Sequence, residues 1–132
     1  MKLVFLDILY TIVHFIIIGF NLLGWVFPST RKLHLYGVAI TLGCWLILGI
    51  WYGIGYCPVT DWQWEVKTQL GEQNLPNSFV KYYADLLTGK NINDQIIDGI
   101  TLGTFLLAII TSVYLNFFSK KSMIKLQKDH LE

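Results

Sequence analysis

Four polar side chains stand out in a chain of 132 residues dominated by apolar ones: Asp7, His14, Asn21 and Asp98. The first three recur every seven residues, nearly two helical turns, so successive members drift only about 20° around a helix axis. One helix face would then carry a carboxylate, an imidazole and a carboxamide stacked ~10 Å apart. An unpartnered ionisable group inside a membrane span costs roughly several kcal/mol, so this face is expected to turn toward protein. Asp98 falls about one turn into the third apolar block, at the level of Asp7 if the spans alternate in direction. Two carboxylates there could share a proton, hold a cation or gate a proton path toward His14. The plainer role is glue, with Asp7 and His14 hydrogen-bonding Thr101, Thr104 or Tyr114 of a neighbouring helix.

The remaining reactive side chains offer less. His14 and Cys44 fall near mid-bilayer, but two ligands are too few for a closed zinc site. A haem held by two histidines would need His34, which lies well over ~10 Å from His14 in depth. No cofactor is therefore expected, and haem or metal at His14 is the minor alternative. Cys57 stands near the start of a short helix, where the helix terminus would lower a thiol pKa. A thiol redox site wants a second sulfur, and Cys44 is ~20 Å away along one helix. Cys57, Pro58 and Thr60 thus read as an interfacial turn. His34, beside Arg31 and Lys32, reads as a solvated interfacial residue or a headgroup contact. No phosphate-binding glycine loop, H-E-x-x-H or G-x-S-x-G occurs, so nothing points to an enzyme. A net charge of +1 gives no case for nucleic-acid binding.

The elements that must position these groups are three apolar blocks, residues 3–27, 33–56 and 95–118, each long enough to cross a bilayer. With 54% hydrophobic residues, the chain is expected to be one all-α domain over residues 1–132, a three-span transmembrane bundle. The first block is too long for a signal peptide and lacks a cleavage pattern. Pro28 is expected to stop span one. Gly49/Gly53 and Gly99/Gly103 form G-x-x-x-G pairs at which spans two and three should touch. Between those spans, residues 60–89 predict an interfacial cap of two short amphipathic helices. The first has Thr60 as N-cap with Gln63 reaching back. It would pack through Trp62, Val66 and Leu70. The second, over residues 78–88, has Lys81 and Asp85 on its wet side and Gly89 as its stop. Asn93 or Asp94 caps span three, and the polar residues after Phe118 are expected to fray. Six Lys/Arg in the first loop and tail against four opposite put the N-terminus outside and the C-terminus in the cytoplasm.

Asp7, His14-Phe15 and Gly24 in span one, Leu33-His34 opening span two, and Gly55-Tyr56-Cys57-Pro58-Val59-Thr60 leaving it make a specific combination. It resembles a bacterial integral-membrane family catalogued as domain of unknown function twenty-seven eighty-four. Asp61-Trp62-Gln63-Trp64, Val66-Lys67, Leu70-Gly71-Glu72 and Phe79-Val80-Lys81-Tyr82 look like its Bacteroidetes-type members. The likeness covers residues 6–88. It implies a small multi-span bacterial membrane protein and supplies no activity. Members of this kind carry an acid late in span two; residues 46–56 have none here, which leaves that role empty or gives it to Asp98. Residues and resemblance together point to a structural or accessory component of a membrane assembly. Its partners would be the bilayer and a second copy or another membrane protein. The alternative is a membrane-embedded proton, cation or redox-cofactor site built on Asp7, His14 and Asp98.

Overall fold

A computed structural model describes every residue except Ile54, and leaves the side chains of residues 120–122 outside the description. Among the described residues there are helices and no strand. Three helices are long and apolar enough to span a membrane: α1 (Lys2–Leu23), α2 (Pro28–Tyr52) and α5 (Asp94–Leu131). Two shorter helices, α3 (Pro58–Gln69) and α4 (Phe79–Thr88), form the cap.

The helix ends depart from the expected ones for local reasons. α1 stops at Leu23, four residues early, because its terminal carbonyls find side-chain donors in the turn. The Leu22 carbonyl accepts from Trp25 Nε1 (2.7 Å) and the Gly24 carbonyl from Thr30 Oγ1 (2.7 Å). Pro28 does not end α1; it begins α2, where a missing N–H leaves nothing unpaired. α2 ends at Tyr52, short of the expected 56, because Gly53 takes φ +104° and Gly55 φ +89°, conformations that break the ladder. Gly53 is thus a helix stop, not a packing residue. Ile54, within the expected span, lies outside the described residues.

In the cap, Cys57 and not Thr60 is the N-cap of α3. The fixed φ of Pro58 starts that helix three residues early, so Thr60 and Gln63 lie inside it and no capping box forms. α4 follows its expectation, with Ser78 Oγ accepting from the Lys81 N–H and Gly89 at φ +67°. Asn93 caps α5 through a bond from the Gln95 N–H (2.8 Å). α5 then runs on to Leu131, so the expected fraying tail is helical. Neither Gly nor Pro occurs after Gly103, and Lys, Met, Leu and Gln are good helix formers.

The interior is more polar than the exterior. The apolar residues buried are Val38, Val66, Phe79, Ile97, Phe105 and Ala108, whereas His14, Asn21, His34, Thr60, Gln63, Lys67, Lys81 and Ser112 are buried polar ones. Most large apolar side chains of α1, α2 and α5 face outward. That distribution suits a hydrocarbon solvent. The expected glycine contact between spans two and three is not made among the described residues: a Cβ at Gly99 or Gly103 would meet none of them within 4 Å. α2 and α5 meet instead through Trp45 and Phe105, with ring centroids 4.7 Å apart, and through Asn116 Nδ2 donating to the Arg31 carbonyl (3.0 Å). The tight crossing is between α1 and α2, where a Cβ on Gly24 would lie 2.9 Å from His34 Cδ2.

Candidate functional site

Asp7, Thr11 and His14 fall at i, i+4 and i+7 on α1, hence on one face. Thr60, Gln63 and Lys67 fall at the matching spacing on α3, which packs against α1 in reverse order. Asp7 Oδ2 meets Lys67 Nζ at 3.1 Å, and its Oδ1 accepts from Gln63 Nε2 at 2.8 Å. Gln63 Nε2 also donates to Thr11 Oγ1 (2.8 Å), which in turn shares a hydrogen bond with the Tyr83 hydroxyl (2.8 Å). Two turns deeper, His14 Nε2 stands 3.3 Å from Thr60 Oγ1 and 3.6 Å from Cys57 Sγ, and its ring stacks on Phe79 (3.9 Å between centroids, 14° between planes).

Lys67 holds the outer end of this network together. Its Nζ donates to Asp7, to Glu72 Oε1 (3.1 Å) and to the Tyr82 hydroxyl (3.2 Å), while Tyr82 donates to Glu72 Oε2 (2.8 Å). Burial pulls the Lys67 ammonium toward neutrality, but its bonds to Asp7, Tyr82 and Glu72 outweigh this and raise its pKa above the ordinary lysine value. Burial and the bond to Glu72 push the Tyr82 phenol up, against the opposing pull of Lys67. One cation between two carboxylates leaves the triad at a formal charge of −1. Among the described residues, two buried polar atoms here have no partner, His14 Nδ1 and Gln63 Oε1.

A second buried lysine joins the cap to α5. Lys81, expected on the wet side, is buried and pairs with Asp85, and it reaches Asn91 Oδ1 (2.7 Å) and Asp94 Oδ1 (3.5 Å). Asp85 Oδ1 also accepts from the Ile92 N–H (2.9 Å). Lys81, then that N–H, holds the Asp85 carboxyl below the usual carboxylate range.

The expected seam divides. Asp7 and His14 face the cap, whereas Asn21 faces α2, its Nδ2 donating to Thr41 Oγ1 (2.9 Å). Asp98 is exposed on α5 and makes no ion pair or side-chain hydrogen bond among the described residues. Thr104 bonds the backbone of its own helix and not Asp7 or His14. Cys57, not Cys44, is the thiol beside His14, and both cysteines are free. His34 corrects its expected interfacial place: at 0% exposure it lies between α1 and α5. Its Nε2 stands 2.7 Å from the Asn21 carbonyl, which can only accept, so Nε2 carries a proton, and Nδ1 shares a hydrogen bond with Ser112 Oγ (3.0 Å). Among the described residues, no group of three His, Cys, Asp or Glu is placed to hold a metal.

Thr11 and Tyr83 enter the site unannounced, and Gln63, Lys67, Glu72 and Tyr82 enter it in place of the capping role expected of Gln63 and the mere resemblance of the others. The available signal was the 60/63/67 spacing, about a quarter-turn around α3 from the apolar stripe of Trp62, Val66 and Leu70. No curated protein and no solved structure matches the chain. Residues 4–117, which take in α1, α2, the cap and most of the apolar part of α5, match the family described as Protein of Unknown function (DUF2784), and the chain belongs to that family.

Proposed function

We propose that the protein is a structural or accessory component of a membrane assembly in the cytoplasmic membrane of a bacterium. Its cap and N-terminus lie outside, with Arg31, Lys32 and the C-terminal part of α5 in the cytoplasm. Lys120 and Lys121, which contribute to that orientation by charge, have side chains outside the described residues. The observation that supports a structural role is the engagement of the seam. Asp7 is neutralised by Lys67, Thr11 is bonded from both cap helices, and His14 is sandwiched by Thr60 and Phe79. Groups fixed in this way clamp the cap to α1. A partner is supported by the α5 face that carries Gly99 and Gly103, which nothing among the described residues covers. A second copy or another membrane protein would fit there. No cofactor belongs to this reading.

The second reading is a membrane-embedded proton, cation or redox site on Asp7 and His14. The unpartnered His14 Nδ1 and Gln63 Oε1 favour it. Asp98 has no part in it, being exposed on α5. Purification in mild detergent of the wild type, Asp7→Asn and His14→Ala separates the two. A clamp predicts that both variants lose co-purifying protein or change oligomer size. If both assemble normally while a cellular phenotype disappears, the structural role is refuted. A haem absorption band in the wild-type protein that His14→Ala removes would do the same.

A further inference from the structure

The end of the bundle opposite the cap holds a cleft that the clamp does not use. It has a volume of about 440 Å³ and opens between the α1–α2 turn and the distal part of α5. Arg31 and Lys32 line one side, and Leu115, Met123 and Ile124 line the other. Asn116 Nδ2, bonded to the Arg31 carbonyl, ties the two walls together (3.0 Å).

The charges at the two ends of the molecule are handled differently. Lys67 faces Asp7 and Glu72, and Lys81 faces Asp85 and Asp94. Arg31 and Lys32 make no ion pair among the described residues. Arg31 Nε donates to the Trp25 carbonyl (3.1 Å), which orients the guanidinium while its two terminal nitrogens bond no acceptor among the described residues. A half-buried, oriented fork beside a second cation matches phosphate oxygens. On the opposite wall Leu115 stands next to Asn116, which bonds the Arg31 carbonyl, and so borders the hydrocarbon at the depth of Arg31. Arg31 and Lys32 also begin a membrane-length helix, which sets them at headgroup depth, and basic pockets between spans at that depth suit anionic headgroups.

We propose that this cleft binds the headgroup of an anionic phospholipid of the surrounding leaflet, its phosphodiester on Arg31 and Lys32 and its acyl chains passing Leu115 into the bilayer. A free phosphate would leave the Leu115 side bare, and a zwitterionic lipid would leave the cleft with uncompensated positive charge.

The test uses the full chain in a neutral maltoside detergent, with retained lipid read by native mass spectrometry and Tm by thermal shift. Dioleoylphosphatidylglycerol should be retained and raise Tm; dioleoylphosphatidylcholine and millimolar inorganic phosphate should do neither. Lys32 bonds nothing among the described residues, and Lys32→Gln should weaken retention about fivefold, the worth of one cation near a headgroup, ~1 kcal/mol. Lys90→Gln, at the cap end, should leave it unchanged. Equal retention of the two lipids, or equal loss in the two variants, would overturn the proposal. A Tm shift reproduced by phosphate alone would make this a free-anion site instead.

Discussion

Replacing Lys67 by Met separates the clamp from a surface ion pair. The Lys67 side chain is 4% exposed, Asp7 20% and Glu72 39%. At 3.1 Å and an effective dielectric of 20, the Asp7–Lys67 attraction is ~5 kcal/mol, which the desolvation of two ions largely offsets. The intact pair therefore contributes little net stability. Removing one partner is a different matter, because the other charge stays behind. Losing one side of a buried pair costs about 3–5 kcal/mol. Asp7 keeps its bond from Gln63 and Glu72 is partly wet, which sets the expectation near ~3 kcal/mol. That figure corresponds to about 150-fold in the opening of the cap. Amide hydrogen exchange over α3, in detergent or nanodiscs, reads it directly as lost protection, with α2 unaffected. Adding Asp7→Asn should restore most of the protection, since Met and Asn leave no stranded charge on α1. A loss below about fivefold for Lys67→Met would place the pair in the surface class, and an additive double variant would show no coupling. Either result refutes the clamp.

Three further expectations follow from other contacts. His34→Ala strands the Asn21 carbonyl and the Ser112 hydroxyl inside the bundle, and should lower stability by ~2–4 kcal/mol; a Tm close to wild type would return His34 to the interface. Gly24→Ala forces a Cβ against the Phe20 carbonyl and should cost ~1–3 kcal/mol, while Gly103→Ala leaves the monomer's Tm unchanged and alters only oligomer size on a sizing column. In Asp85, whose folded pKa is depressed, the stabilising charge is present above the ordinary carboxyl value of 3.8 and lost as pH falls through the lower folded value. Lys67, with a raised pKa, contributes fully below 10.5 and loses its contribution only as pH climbs through the higher folded value. Tryptophan fluorescence, through Trp64 packed on Tyr82, should therefore be flat from pH 5 to 9 and change only in acid or strong base.

The three spans were legible because run length alone separates a bilayer-crossing helix from other helices. The 7/14 face was legible because a seven-residue spacing fixes an angle on a helix. Spacing says nothing about which neighbour that face meets. The same line of residues accordingly meets the cap at Asp7 and His14 and α2 at Asn21. Asp98 failed for the complementary reason: its depth could be counted along the chain, but its angle around α5 could not. Gly53 shows a third limit, since one residue type serves both for close packing and for positive φ, and only the backbone distinguishes them.

The cap carries the most instructive error. In a soluble amphipathic helix the apolar stripe faces protein, and that rule selects Trp62, Val66 and Leu70 on α3. Of these Val66 is buried and Trp62 and Leu70 are exposed, while the polar Gln63, Lys67 and Lys81 are buried. The burial of the polar residues follows from the solvent. Between surfaces that lipid would otherwise cover, apolar contact gives little driving force, so hydrogen bonds and ion pairs must fix where one element sits on another. A polar residue at regular spacing in a membrane-side helix then marks the docking face. By that criterion Thr60, Gln63 and Lys67 belong opposite Asp7, Thr11 and His14 on spacing alone, as their contacts place them.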